Sequence, residues 1–301
     1  MPVDISFITV NYNTRQLLEE LLRFFHSTPL PFSFCLVVVD NGSNDGSCQM
    51  LEQFEGINLV SIQAGENLGY GRAINRGMAA VKSHYVCIMN TDIILNRESL
   101  VALWDFFEGT PSAGVASPVI MGNNHRIQGF IFHPGILSLY SHTIGKIRSK
   151  LWKVRIQRAD SPVRVPGVLG AFFMIRRAAF SNDQLFDEDF FFYYEDTELA
   201  HRYWMKNIPC YVLPQVSIIH LGGQSTSAEG GKLFQQSRRI YIGKCHGDRH
   251  ASCLQQLDRI RLWIKYFKYK LITRIFENKA LRAKHDYYAR LIELQEKHGK
   301  I

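Results

Sequence analysis

A chain of 301 residues with 46% apolar, 12% aromatic and 21% charged residues suits one large domain or two small ones, and is too apolar for a solvated coil. Ordinary counts of Gly (22) and Pro (10) exclude a collagen-like chain, and no apolar run of about 18 residues is present to span a membrane. The net charge of +8 is uneven: residues 1–145 carry −5, 146–164 carry +6, 165–254 are balanced and 255–301 carry +7, so basicity is confined to two blocks. Such blocks suit an anionic partner (membrane surface, nucleic acid or phosphorylated substrate) or a solvated basic face.

Residues 5–10 form a β-rich run. Thr14 then caps an amphipathic helix with Leu17, Leu18, Leu21, Leu22 and Phe25 at helical spacing. Residues 35–39 are a continuous apolar strand ending in the turn Asp40-Asn41-Gly42-Ser43. The pattern predicts a helix over 46–54, a strand over 57–62, a helix over 70–82, a buried strand over 85–89, a helix over 98–108 and an extended piece over 115–121. Apolar strands separated by helices predict a mostly parallel sheet covered by helices, with ligands bound beyond the strands' carboxyl ends. Asn11, Tyr12, Asp40 and Asp92 all follow strands directly. Residues 134–162 lack periodicity and read as an insertion or mobile loop. The last stretch reads as helical, with Leu257, Ile260, Ile264, Phe267 and Leu271 at three- and four-residue spacing.

Six cysteines, none in a C-x-x-C pair, predict reduced structural thiols rather than a zinc site. The N-terminus shows no basic region followed by an apolar stretch, which predicts a cytoplasmic chain without a secretory signal.

Five groups of residues point to chemistry. Asp40 at a strand end suits hydrogen bonds to a ligand such as a pyrimidine base, or simply a turn. Asn67-Leu68-Gly69-Tyr70-Gly71 opens a helix with two glycines that allow close backbone approach. Asn90-Thr91-Asp92 is a short carboxylate-bearing turn able to hold Mg²⁺ or Mn²⁺. Glu195 and Asp196, with Glu198, follow the aromatic run 190–194, where reduced solvation raises a carboxylate toward useful base strength; acidic residues also suit a helix's first turn. His220 stands at the end of the apolar run 216–219, before a Gly-rich stretch.

In order along residues 4–245, these motifs resemble the family 2 glycosyltransferases of the GT-A fold, and most of all the rhamnosyltransferase branch of bacterial surface-polysaccharide biosynthesis. The resemblance implies a Rossmann-like α/β domain over 1–250, with a nucleotide-sugar half over 1–121 and an acceptor and catalytic half over 122–250. A basic, amphipathic helical extension would follow over 251–301. It implies that Val10, Tyr12, Asp40, Asn67, Gly69, Asn90 and Thr91 line the donor site. Asp92 and His220 would be the metal and diphosphate contacts, Asp196 the base, and Glu195 its positioning partner.

The implied reaction is inverting transfer from dTDP-L-rhamnose, or a UDP-sugar, to a polyprenyl-diphosphate-linked saccharide. A divalent metal is implied, with its affinity lowered by the neutral Asn90 in place of a second acid. The basic segment 255–301 predicts contact with an anionic membrane surface at the inner face, or with a second subunit; no nucleic-acid partner is expected. A nucleotide-sugar-forming nucleotidyltransferase is the rival reading. The Asn11-Tyr12-Asn13 segment counts against it, since a Gly-rich phosphate loop with a basic residue belongs there. A non-catalytic membrane- or nucleic-acid-binding protein is the third, and intact Asp40, Asp92, Asp196 and His220 count against it.

Overall fold

The computed structural model describes residues 3–128, 140, 142–180, 184–222, 230–276 and 278–298. The chain divides into two compact units, Met1–Tyr241 and Ile242–Ile301. The first is built on a nine-stranded sheet.

Its elements run β1 (Val3–Asn11), α1 (Arg15–Ser27), β2 (Phe34–Asp40), α2 (Ser47–Gln53), β3 (Leu59–Gln63), α3 (Tyr70–Ala79) and β4 (Ser83–Asn90). There follow β5 (Ile93–Ile94), α4 (Arg97–Gly109), β6 (Val115–Gly122), α5 (His142–Gln157), β7 (Val163–Val165) and β8 (Phe172–Arg176). Then come α6 (Glu195–Met205), β9 (Cys210–His220) and α7 (Gly230–His246), whose last residues pass into the second unit. That unit holds α8 (Asp248–Ile275) and α9 (Lys279–His298).

The strand order is β3-β2-β1-β4-β8-β6-β9-β5, with β7 on β9. Parallel pairing is continuous from β3 to β4, where helical crossovers return the chain. Beyond β4 the sheet is mixed: β8 runs antiparallel to both neighbours, while β6 and β9 are parallel across a bulge at Pro118 and Val119.

Alternation along each strand feeds two cores. Phe7, Leu36, Val38, Cys87, Met89, Phe172 and Met174 face α1 and α4, packing on Leu18, Leu22, Leu103 and Phe107. Ile8, Val37, Val39, Val86, Ile88, Phe173 and Ile175 face α3 and α6, packing on Ala73, Ile74, Leu199 and Tyr203. Strands buried on both faces read as unbroken apolar runs, which is why they are visible in the sequence.

Two expectations are corrected. The 134–162 stretch contains α5 over His142–Gln157, so it is not a loop there; residues 134–139 lie outside the described residues. Its bases favour helix, but Ile144, Ile147 and Leu151 are exposed and Ile156 is buried, so no single apolar face announces the period. Thr14 occupies the N-cap of α1 without a side-chain cap bond, because its hydroxyl donates to Asn11 Oδ1 at 2.8 Å instead.

Candidate active site

The sheet's order reverses at β1: β2 lies on one side of it and β4 on the other. The carboxyl ends of these strands therefore open a crevice between β1 and β4, the usual ligand position in such sheets. Register places Val10 beside Asn90 and Asn11 beside Asp40. Asn11 is fully buried and gives one amide hydrogen to Asp40 Oδ2 (2.8 Å) and another to Ser43 Oγ (3.0 Å). Asp40 Oδ1 accepts from the Ser43 N–H at 2.8 Å. Thr14 Oγ1 lies 2.9 Å from Thr91 Oγ1, so one buried chain of polar groups joins Asp40 to the turn after β4. Val10 is half-buried at the floor and Tyr12 is exposed at the rim.

Asn67 and Gly69 are less free than a plain ligand wall. Asn67 Oδ1 accepts from Asn41 Nδ2 (2.9 Å) and from the Gly69 N–H (3.0 Å), and Asn41 Oδ1 accepts from the Leu68 N–H (2.9 Å). Gly69 has φ +85°, and a Cβ there would sit 2.5 Å from Phe191 O. Its close approach is therefore to the aromatic run before the acidic pair.

The first turn of α3 holds that run in place. The Tyr70 N–H donates to Phe191 O (2.9 Å) and Arg72 Nε to Glu188 O (3.1 Å). Asn75, buried, donates from Nδ2 to Phe186 O (2.8 Å) and accepts from the Phe186 N–H (2.9 Å). The run ends in two left-handed residues, Tyr193 (φ 68°) and Tyr194 (φ 66°), strained for side chains of this size. They turn the chain into α6, whose first residues are Glu195 and Asp196.

Asp196 Oδ2 accepts from the Gly170 N–H at 3.0 Å and Oδ1 from Thr197 Oγ1 at 3.2 Å. Only glycine fits at 170, since a Cβ would lie 2.9 Å from Asp196 Cβ. Glu195 is buried, and its Oε2 has no hydrogen-bond partner among the described residues. Burial, then the neighbouring Asp196 charge, pushes the Glu195 carboxyl up to about 8. Burial also raises Asp196, opposed by the Gly170 N–H and the Thr197 hydroxyl. Glu198 stands apart, taken by Arg202 Nε at 2.7 and 2.9 Å.

Antiparallel pairing of β5 with β9 sets Ile93 opposite His220, which brings His220 to Asp92 across the chain. His220 Nε2 lies 3.3 Å from Asp92 Oδ1 and 3.4 Å from Asn90 Nδ2. Gln128 fixes the ring: its Nε2 donates to His220 O at 2.8 Å, and its Oε1 faces His220 Nδ1 at 2.5 Å. An amide oxygen there assigns the proton to Nδ1, leaving the Nε2 lone pair directed at the same space as the Asp92 carboxylate. A ring nitrogen and a carboxylate oxygen 3.3 Å apart are donor types that suit a divalent cation. Among the described residues no group of three or more His, Cys, Asp or Glu converges.

Tyr70 connects the two halves. Its hydroxyl donates to Gly170 O at 3.1 Å, and after burial the charges of Glu195, Asp196 and Asp92 raise it most. Sequence reasoning missed Gln128, Gly170 as a donor to Asp196, and the Thr14–Thr91 contact. Each becomes visible only once distant segments pair. Gln128 lies alone in an irregular stretch without any motif to mark it.

The family model for glycosyl transferase family 2 matches residues 6–183, and the chain belongs to that family. It is therefore a glycosyltransferase of α/β, GT-A architecture with a helical C-terminal region. It is 27% identical over 272 residues to N-acetylglucosaminyl-diphospho-decaprenol L-rhamnosyltransferase of Mycobacterium tuberculosis, covering 82% of this chain and 85% of that one. It is 21% identical to the rhamnosyltransferase WbbL of Escherichia coli, covering 77% and 88%.

Among solved structures, the mannosyltransferase PcManGT of Pyrobaculum calidifontis, in complex with GDP-Man and Mn²⁺, aligns with TM-score 0.58 and 15% identity. That match covers 100% of this chain and 89% of that one. S. aureus TarS 1-349 in complex with UDP aligns with TM-score 0.54 and 18% identity, covering 98% and 92%; in the longer TarS structure the match spans 42% of that chain. These structural likenesses show the shared fold.

Proposed function

We propose that this glycosyltransferase inverts configuration, moving L-rhamnose from dTDP-rhamnose, or otherwise a sugar from UDP, onto a polyprenyl-diphosphate-linked saccharide in cell-surface polysaccharide biosynthesis. Support for the sugar comes from two relatives named rhamnosyltransferases. Support for the acceptor comes from the diphospho-decaprenol in one of those names. The observation that carries the mechanism is the Gly170–Ala171 segment, whose Gly170 N–H donates to Asp196 (3.0 Å) and whose Ala171 O accepts from the Asn90 N–H (2.9 Å). The diphosphate end and the acid pair thus share one neighbourhood.

Asp40 and the crevice floor at Val10 and Asn11 would take the nucleoside, with Tyr12 over it and Asn67 and Gly69 at the far edge. Asn90 and Thr91 would meet the sugar-diphosphate. Asp92 and His220 would hold Mg²⁺ or Mn²⁺, which when bound stabilises the charge developing on the departing diphosphate. Asp196, whose carboxylate accepts from the Gly170 N–H, takes the proton from the acceptor hydroxyl. That oxygen attacks the anomeric carbon as the bond to the diphosphate oxygen breaks. Glu195, neutral below about pH 8, keeps a second negative charge away from the base. One base and no enzyme nucleophile make a single displacement.

The test is a thermal-shift panel of nucleotide-sugars with Mn²⁺. dTDP-rhamnose is expected to raise the midpoint more than UDP-, GDP- or CMP-sugars, because a ligand bound to the native state stabilises it. Equal shifts across the panel, or a larger one for GDP-sugars, would overturn the donor assignment.

A further inference from the structure

Helix α8 of the second unit has two opposed faces. Tyr266 and Tyr269 turn toward α9: Tyr266 lies 5.1 Å from the His285 ring, and Tyr269 stacks on Tyr288 at 5.4 Å. The opposite face carries Ile260, Ile264, Phe267, Leu271 and Ile275 at three- and four-residue spacing, exposed by 56, 62, 54, 60 and 65%. Trp263 stacks on Phe267 at 5.5 Å and widens the stripe along one edge. At 1.5 Å per residue the stripe runs about 22 Å.

Helical spacing puts Arg261, paired with Asp258 at 3.2 Å, and Lys268 along one border of the stripe, and Arg259, Lys270 and Arg274 along the other, while Lys265 lies over the Tyr288 ring of α9. No acidic residue occurs from 259 to 276. A contiguous apolar face of this size is uncommon on a soluble surface and marks an interaction site. The all-basic borders decide between occupants. A second copy laid along the stripe would set bases against bases. An anionic lipid surface takes the apolar side chains at its acyl boundary and the bases at its headgroups.

We propose that this face of α8 docks the protein on an anionic bilayer, lying in the interface rather than crossing it. Among the described residues no helix is long and apolar enough to cross a membrane. The docking depends on neither the donor nor the acceptor assigned above.

The test is co-sedimentation of the full chain with mixed phosphatidylglycerol/phosphatidylcholine vesicles and with pure phosphatidylcholine vesicles. It is run beside two full-length variants, Ile264→Glu/Phe267→Glu and Lys268→Glu/Arg274→Glu. All four positions are exposed, so both variants are expected to fold, checked by unchanged circular dichroism and unchanged binding of nucleoside diphosphate. The wild type is expected to sediment with the mixed vesicles at low salt and not with pure phosphatidylcholine. Binding should fall on the order of tenfold in about 0.5 M NaCl. Each variant should lose on the order of tenfold or more. Equal binding to both vesicle types, no binding to either, or variants that bind like the wild type would overturn the proposal. So would a lipid-free dimer that Ile264→Glu/Phe267→Glu converts to a monomer, since that result makes the stripe a subunit seam.

Discussion

Glu195 and Asp196 are neighbours in one helical turn, yet their surroundings divide them. Asp196 has an N–H and a hydroxyl to steady its charge, while Glu195 has a buried oxygen with no partner among the described residues. Asp196→Asn is therefore expected to leave nucleoside diphosphate binding intact and to lower kcat on the order of 10²–10⁴-fold, the range of a lost general base. Single-turnover transfer and calorimetry check the two parts separately.

The Glu195 carboxyl, raised from 4.5 to about 8 in the folded protein, binds its proton more tightly there than in the unfolded chain. The stability this contributes is complete below 4.5 and is lost as pH rises through 8. Glu195→Gln keeps the neutral form at every pH. Melting curves should show the variant close to wild type in acid and more stable above pH 8, by on the order of 5 °C. A variant that melts earlier than wild type at alkaline pH would contradict this.

These acids were legible in the sequence, because carboxylates after an aromatic run and at the ends of apolar strands stand out against their neighbours. The roles of Gly170 and Gln128 were not. Their importance lies in which distant side chain each meets, Asp196 in one case and His220 in the other, and no local pattern encodes that.

At the scale of elements, α3 does two things with one turn. Its N-terminal glycine loop borders the crevice, and its first residues grip the 186–191 segment that leads into α6. Asn75 completes that grip on both sides of the Phe186 peptide. Asn75→Ala leaves a buried N–H and a buried C=O unpaired, a cost of about 2–4 kcal/mol in stability. Because α6 carries the acid pair, kcat should fall more than nucleoside diphosphate affinity. Denaturant unfolding and calorimetry on one preparation measure both quantities. A sequence reading takes Asn67-Leu68-Gly69-Tyr70-Gly71 as a ligand loop from its glycines, and misses that Gly69 approaches Phe191.

The parallel strands β1, β2 and β4 were legible because both their faces are buried. The antiparallel β8, and the two-residue β5 that brings Asp92 to His220, were not. A two-residue strand has no period, and its existence depends on β9.

Across the whole molecule, the two basic blocks of the sequence both fall on helices with exposed apolar residues, α5 and α8. The acidic remainder holds the sheet and the crevice.

The central claim is a single displacement with Asp196 as base and no covalent sugar–enzyme intermediate. The measurement that tests it most directly is the anomeric configuration of the transferred sugar, read by NMR. The assay incubates the full chain with dTDP-L-rhamnose, Mn²⁺ and a GlcNAc-diphospho-polyprenol acceptor. The account predicts a rhamnosyl product whose anomeric configuration is opposite to that of the donor, with release of dTDP. A product of retained configuration would contradict it. So would the absence of transfer from any nucleotide-sugar, accompanied by diphosphate release from a sugar phosphate and a nucleoside triphosphate.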